Sequence, residues 1–225
     1  MLWLLVCPLV CLADVGPPAE VGTGPQPAPL PVSWELEFKF LDPRRIEVQV
    51  EPGRPPEVYW YLAYTVTNRS DRSQMFFPTF QLVTQDLRVL DTDMGISPLV
   101  FEAIRERHRQ THKYLRHPTS AIGELLCGDD NARESVAVWR DVDLSVNEFK
   151  VYVAGLSGEA RLVPNPAYDP GRPETVTDEQ GRTHLTNPKH FTLRKTLEIR
   201  YNLLGSPTAR ATATPERAGV RWVMR

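Results

Sequence analysis

Apolar and polar residues alternate along most of this chain, and the alternation breaks at clusters rich in Pro, Gly, Asp and Asn. In WELEFKF, Trp34, Leu36, Phe38 and Phe40 fall on one side and Glu35, Glu37 and Lys39 on the other, which describes a strand with one wet face. LDPRR reads as a turn, after which Ile46, Val48 and Val50 resume the alternation. EPGRPPE breaks the chain again. VYWYLAYTVTN is apolar or aromatic at both parities, so it predicts a central strand buried on both faces. NRSDRS is a polar turn, and MFFPTFQLVT is a further strand in which Pro78 marks a bulge or an edge. A short strand over 87–90 follows. ESVAVWR and EFKVYVAG are strands joined by the polar DVDLSVN, and ETVTDEQGRTHLT reads as a small hairpin turning at Glu179-Gln180-Gly181. HFTLRKTLEIRYNL alternates from Phe191 to Leu203, and VRWVMR is expected to pair with it. Eight to ten short strands with regular turn signals predict an all-β antiparallel sandwich.

One segment departs from this period. Pro98 can open a helix and Pro118 can stop it, which predicts an α-helix over about 98–116 inserted into the sandwich. At about 100° per residue, Val100, Ile104, Thr111 and Leu115 share an arc of roughly 60°. These form the expected buried stripe. His108 falls on its shoulder beside Phe101, His112 at the rim, and His117 well round the other side. Arg105, Arg109, Lys113 and Arg116 gather on the outer side with Glu102, a face that is either solvated or able to dock on an acidic partner or anionic headgroups.

The N-terminus changes the picture. Residues 2–12 are nearly all apolar, and Cys11-Leu12-Ala13 suits cleavage, so 1–13 reads as a secretory signal peptide that lacks a leading Lys or Arg. The apolar run is too short to span a bilayer, which needs roughly 20 residues, and no transmembrane anchor is expected. Residues 14–33 are dominated by Pro, Gly and Ala, a linker composition. A single domain is expected over 34–225. Export to the periplasm, cell surface or medium follows. Cleavage would leave Cys127 as the one cysteine, so no internal disulfide is expected. A net charge of −2 gives no support to nucleic-acid binding.

The stretch VYWYLAYTVTNRSDRSQMFFPTFQLVTQDLRVL resembles the opening strands of immunoglobulin-like domains in exported bacterial proteins, with a strand, "TN" and a polar turn, then a Phe-bearing strand. CGDDNARESVAVWRDVDLSVNEFKVYVAGLSGE is similar to the later part of such domains. Together they cover about a third of the chain. The resemblance implies an immunoglobulin-like β-sandwich and an exported location, and it carries no functional residues.

Candidate chemistry is sparse. His108 and His112, one turn apart, could share a metal, but a zinc site wants three or four protein ligands. Neither HExxH nor CxxC is present. Asp91-Thr92-Asp93-Met94-Gly95 is a fragment of a calcium loop without its remaining ligands, and reads as a turn. Gly155-Leu156-Ser157-Gly158 lacks the spacing of a nucleophile elbow. Asn68-Arg69-Ser70 matches a glycosylation sequon but reads as a hairpin turn. Tyr59-Trp60-Tyr61 would make a sugar-stacking platform if exposed, and core if not. The expected function is an exported, non-enzymatic interaction or structural module of the cell envelope, without a cofactor, whose partner is an envelope protein or surface polymer. The alternatives are a metal-dependent activity at His108 and His112, and a carbohydrate-binding module.

Overall fold

The computed structural model describes residues 34–92, 95–141 and 145–225. The expected export signal and linker lie outside the described residues, as do Asp93, Met94 and 142–144. Among the described residues there are fourteen strands: β1 (Glu37–Phe40), β2 (Arg44–Val48), β3 (Glu57–Thr67), β4 (Gln74–Phe76), β5 (Thr79–Thr84), β6 (Val89–Asp91), β7 (Gly123–Leu125), β8 (Arg133–Arg140), β9 (Glu148–Ala154), β10 (Ala160–Pro164), β11 (Thr175–Thr177), β12 (Thr183–Leu185), β13 (His190–Asn202) and β14 (Glu216–Met224). The helices are α1 (Pro98–Arg107), α2 (Pro118–Ala121) and α3 (Pro207–Arg210). Every pairing between these strands is antiparallel, so the all-β sandwich prediction holds. The count exceeds the eight to ten expected. Pro78 splits 75–84 into β4 and β5, and the short β7 and β10 carry no alternating signature.

β3 is central, as its two-sided apolar sequence requires. β8 pairs along one edge of it, and β1 and β2 share the other. LDPRR is therefore not a hairpin turn. Leu41 N–H still donates to the Ala63 carbonyl at 2.9 Å, and the chain continues along the same edge. Phe38 pairs with Val66 and Ile46 with Tyr59, so even numbers face even in β1 and odd in β2. One extra residue within Leu41-Asp42-Pro43 makes this a β-bulge. Because side chains alternate faces, that single residue moves the apolar set of β2 to the opposite side of the sheet.

The consequence is two cores. Trp60, Leu62, Tyr64 and Val66 of β3, with Ala137 and Trp139 of β8, face a second sheet and pack on Phe80, Phe149, Val151, Ile199 and Tyr201. That second sheet runs β14–β13–β9–β5–β6. The intervening β3 residues Tyr59, Tyr61 and Ala63 face the other way with Ile46, Val48, Val136 and Val138. Val100, Phe101 and Ile104 of α1 and Leu115 beyond it cover this face. Two clamps close the seam where β1 lies near β14. Arg217 pairs with Asp42 and sits 4.6 Å from the Phe40 ring, and Lys195 pairs with Glu35 and Glu159 beside Trp222.

The helix is shorter than expected. Ser97 caps it, its Oγ accepting from Leu99 N–H, and Pro98 takes the first turn. It stops at Arg107, with His108 as C-cap, and 108–111 continue as turns. His108, Thr111 and His112 are weak helix formers, and here the Arg109 and Thr111 N–H groups bond carbonyls three residues back instead of four, with the Thr111 hydroxyl also reaching the His108 carbonyl. Thr111 is exposed rather than buried. Pro118 does not end this helix but begins α2, capped by the His117 side chain.

Residues 160–194 form an arm built on a different principle. β10 pairs with the first residues of β13, and β11–β12 make the expected hairpin. Asn187 is its one buried residue among the described residues. The Asn187 amide donates to the Asp169 and Arg172 carbonyls and accepts from Asp169 N–H, while Asn165 donates to Pro188. Side-chain amides thus do here what apolar packing does elsewhere.

Candidate functional site

The end of α1 is where histidine, tyrosine and arginine converge. His108 is 4% exposed, deeper than the shoulder position expected for it. Its Nε2 lies 3.0 Å from the Tyr61 hydroxyl and its Nδ1 3.4 Å from the Thr111 hydroxyl. His112 stands edge to face with it, ring centroids 5.3 Å apart, and His117 is elsewhere, against Phe101. Both nitrogens of His108 thus face hydroxyls. Among the described residues no group of three or more His, Cys, Asp and Glu side chains is placed to hold a metal ion.

Burial holds the His108 pKa below the usual value of 6.5, and the nearby His112, Arg44 and Arg107 act in the same direction. The unfolded chain takes up a proton near the ordinary value that the folded chain resists. The contribution of neutral His108 to stability is therefore complete above pH 6.5 and declines as pH falls toward the depressed folded value. Chemical denaturation between pH 7.5 and 5 should show stability falling with pH, with a visibly shallower slope in His108→Gln. Equal slopes in the two proteins would remove His108 as the cause.

Beside this group a cleft of about 490 Å³ opens between β2 and the chain after α3. Arg44, Arg45, Ile46 and Glu47 form one wall, Arg107 its corner, and 211–214 the other wall. The volume is within the range of ligand sites. Two elements place the arginines, β2 for Arg44 and Arg45 and α1 for Arg107. Arg45 bonds Asp141 through Nε and Nη2 and donates from Nη1 to the Ala211 carbonyl at 2.9 Å, joining the two walls. Asp141 in turn accepts from the Trp60 indole at 3.2 Å, which ties the cleft to the core. Arg107 donates to the Arg45 carbonyl on the open edge of β2 and lies 6.0 Å from the Tyr61 ring. Arg44 is exposed at the rim, and no ion pair engages it among the described residues. Arg210 fixes α3 by donating to the Val146 carbonyl and Asn147 Oδ1. Asp141 offsets only Arg45, so Arg44 and Arg107 leave the rim cationic against Glu47 alone.

No local sequence pattern marks the cleft arginines. Arg44-Arg45 reads as part of a turn unless the bulge is recognised, and Arg107 sits on the supposed helix between two polar faces. The arginines on the outer side of the 98–116 segment are partly neutralised: Arg105 pairs with Glu102, and Arg109 with Glu106 at 3.3 Å.

The remaining candidates have structural places. Tyr59, Trp60 and Tyr61 are at most 1% exposed, so they offer no stacking platform to a sugar. The Tyr59 hydroxyl donates to Glu57, and burial together with that carboxylate pushes its pKa up to about 12. Asn68 is buried, donates to the Arg72 and Leu125 carbonyls, and accepts from Ser70, so the sequon is a turn. Ser157 Oγ accepts from Glu159 N–H, and Cys127 is half-buried beside Asn68. Asp91 accepts from Gln81 and the Gly95 carbonyl accepts from Arg140, while Asp93 and Met94 lie outside the described residues. Glu198 is buried on the second sheet, and its bonds from Arg221 and Tyr152 hold its carboxyl below the usual range. No helix among the described residues is long and apolar enough to cross a membrane.

A scan against protein-family models, a search of curated proteins and a search of solved structures each found no match to this chain.

Proposed function

We propose that this protein is an exported, non-enzymatic interaction module of the cell envelope, and that its cleft takes an acidic peptide segment of an envelope partner. The observation that carries this reading is the cationic rim of Arg44 and Arg107 over a cleft whose far wall also presents Ala211 and Ala213. Guanidinium groups bind carboxylates through paired, charge-assisted hydrogen bonds. The small apolar side chains beside them suit a peptide with mixed acidic and apolar residues. Export rests on the sequence pattern of residues 1–13.

Titration calorimetry with a hexaglutamate peptide tests it. Binding is expected to weaken about tenfold for each of Arg44→Ala and Arg107→Ala, the loss of one charge-assisted contact, and to fall with added salt. Arg105→Ala, whose guanidinium already pairs with Glu102, should leave the affinity unchanged. Absence of binding, or binding indifferent to Arg44 and Arg107, rejects the reading. Tighter binding of a soluble polyuronate at the same arginines would move the partner from a protein to a surface polymer.

A further inference from the structure

We propose that β14 is a self-pairing edge, and that two copies of this chain join there to make one continuous sheet. Arg194 and Arg225 exchange both backbone hydrogen bonds across β13 and β14. In an antiparallel ladder such pairs alternate with pairs that make none. The register then turns the N–H and C=O groups of Val220, Trp222 and Met224 away from β13. No hydrogen bond to these outward groups occurs among the described residues. Edge strands are usually blunted by proline, by a bulge or by a covering segment. Here 219–224 has none of these, and the one bulge lies at its start, where the register shifts between Arg200 and Tyr201.

The occupant follows from register. A second copy pairing about Arg221 would set two guanidiniums opposite each other. Pairing about Val220 would run into the bulge on both strands. Pairing about Trp222 avoids both problems. It sets Val220 against Met224 of the second copy, Trp222 against its own counterpart, and Arg221 against Val223. This register uses all three outward residues, places no like charges directly opposite, and ends where the bulge turns the chain away. It also covers exposed apolar surface, because Val220 is 47% and Trp222 36% exposed on the same face of the sheet. Cross-strand aromatic and branched apolar pairs are the stabilising unit of such a seam.

The full chain should shift from monomer mass to twice that mass with rising concentration in sedimentation analysis. Trp222→Lys alone and Trp222→Glu alone should both remain monomeric, since each puts like charges on the two-fold axis. An equimolar mixture of the two should recover the doubled mass. Val220→Pro removes an outward donor without touching a bond to β13, and should give a monomer that melts like diluted wild type. A wild type that stays monomeric throughout overturns the proposal and leaves this edge to an extended peptide of another protein. A dimer that persists in Trp222→Lys or Val220→Pro overturns it as well, because the contact would then lie elsewhere.

Discussion

Trp60→Ala is expected to destabilise the protein by about 3–5 kcal/mol, the usual cost of emptying a fully buried aromatic site. The side chain is completely buried and meets Phe149 of the facing sheet edge to face, with ring centroids 5.9 Å apart. Its loss opens a void between the two sheets. It also removes the indole donor to Asp141, the carboxylate that holds Arg45. A chain of this length loses about 2–4 °C of melting temperature per kcal/mol, so a fall of roughly 6–20 °C is expected. Native stabilities are typically about 5–15 kcal/mol, so roughly a fifth or more of the total is at stake. Trp60→Phe separates the two effects, since it keeps most of the volume and loses only the hydrogen bond. Urea denaturation of both variants is the measurement. A cost under about 1 kcal/mol for Trp60→Ala would mean that the sheets do not meet at this residue.

Gly155→Ala should be nearly as severe, for a different reason. Gly155 directly follows β9 with φ +84°, in the left-handed region, and a Cβ there would sit 2.9 Å from the Phe77 carbonyl carbon and 3.1 Å from Pro78 Cα. Both obstacles are backbone and cannot rotate aside. Strain of about 1–2 kcal/mol from the left-handed conformation adds to about 1–3 kcal/mol from overpacking. Gly181 is the internal control. It has φ +76° but nothing within 4 Å of its Cβ position, and it lies in the turn of the exposed hairpin. Gly181→Ala carries the conformational cost alone, about 1–2 kcal/mol, and spends it on local opening of the arm. Equal loss of global stability in the two variants by equilibrium unfolding would refute the steric argument.

The sheet architecture was legible because period-two patterns report burial directly. β3 declares its central place by being apolar at both parities, and β13 with β14 by long alternation. The bulge at Leu41-Asp42-Pro43 was not legible. Alternation resumes after it at the same even positions, so the apolar pattern looks unbroken while the face it serves has changed. Proline and aspartate there signal a turn as readily as a bulge. The end of α1 was hidden for a related reason: the apolar spacing persists to Leu115 although the helical hydrogen bonds do not. The cationic cleft was the least readable feature. Arg44, Arg107 and 211–214 are far apart in the chain and meet only after β2 is placed on the edge of β3.

β3 lends alternate residues to both cores, and this bears on how the molecule breathes. The layer of α1 cannot loosen alone, because Tyr59 and Tyr61 would be stripped of cover on the strand whose Trp60 and Leu62 still lock the sheets together. The two cores therefore behave as one cooperative unit whose opening approaches global unfolding, while the asparagine-held arm at 160–194 is free to open on its own. Amide exchange should therefore be slow and concerted through the body and faster and local through the arm of the same short chain.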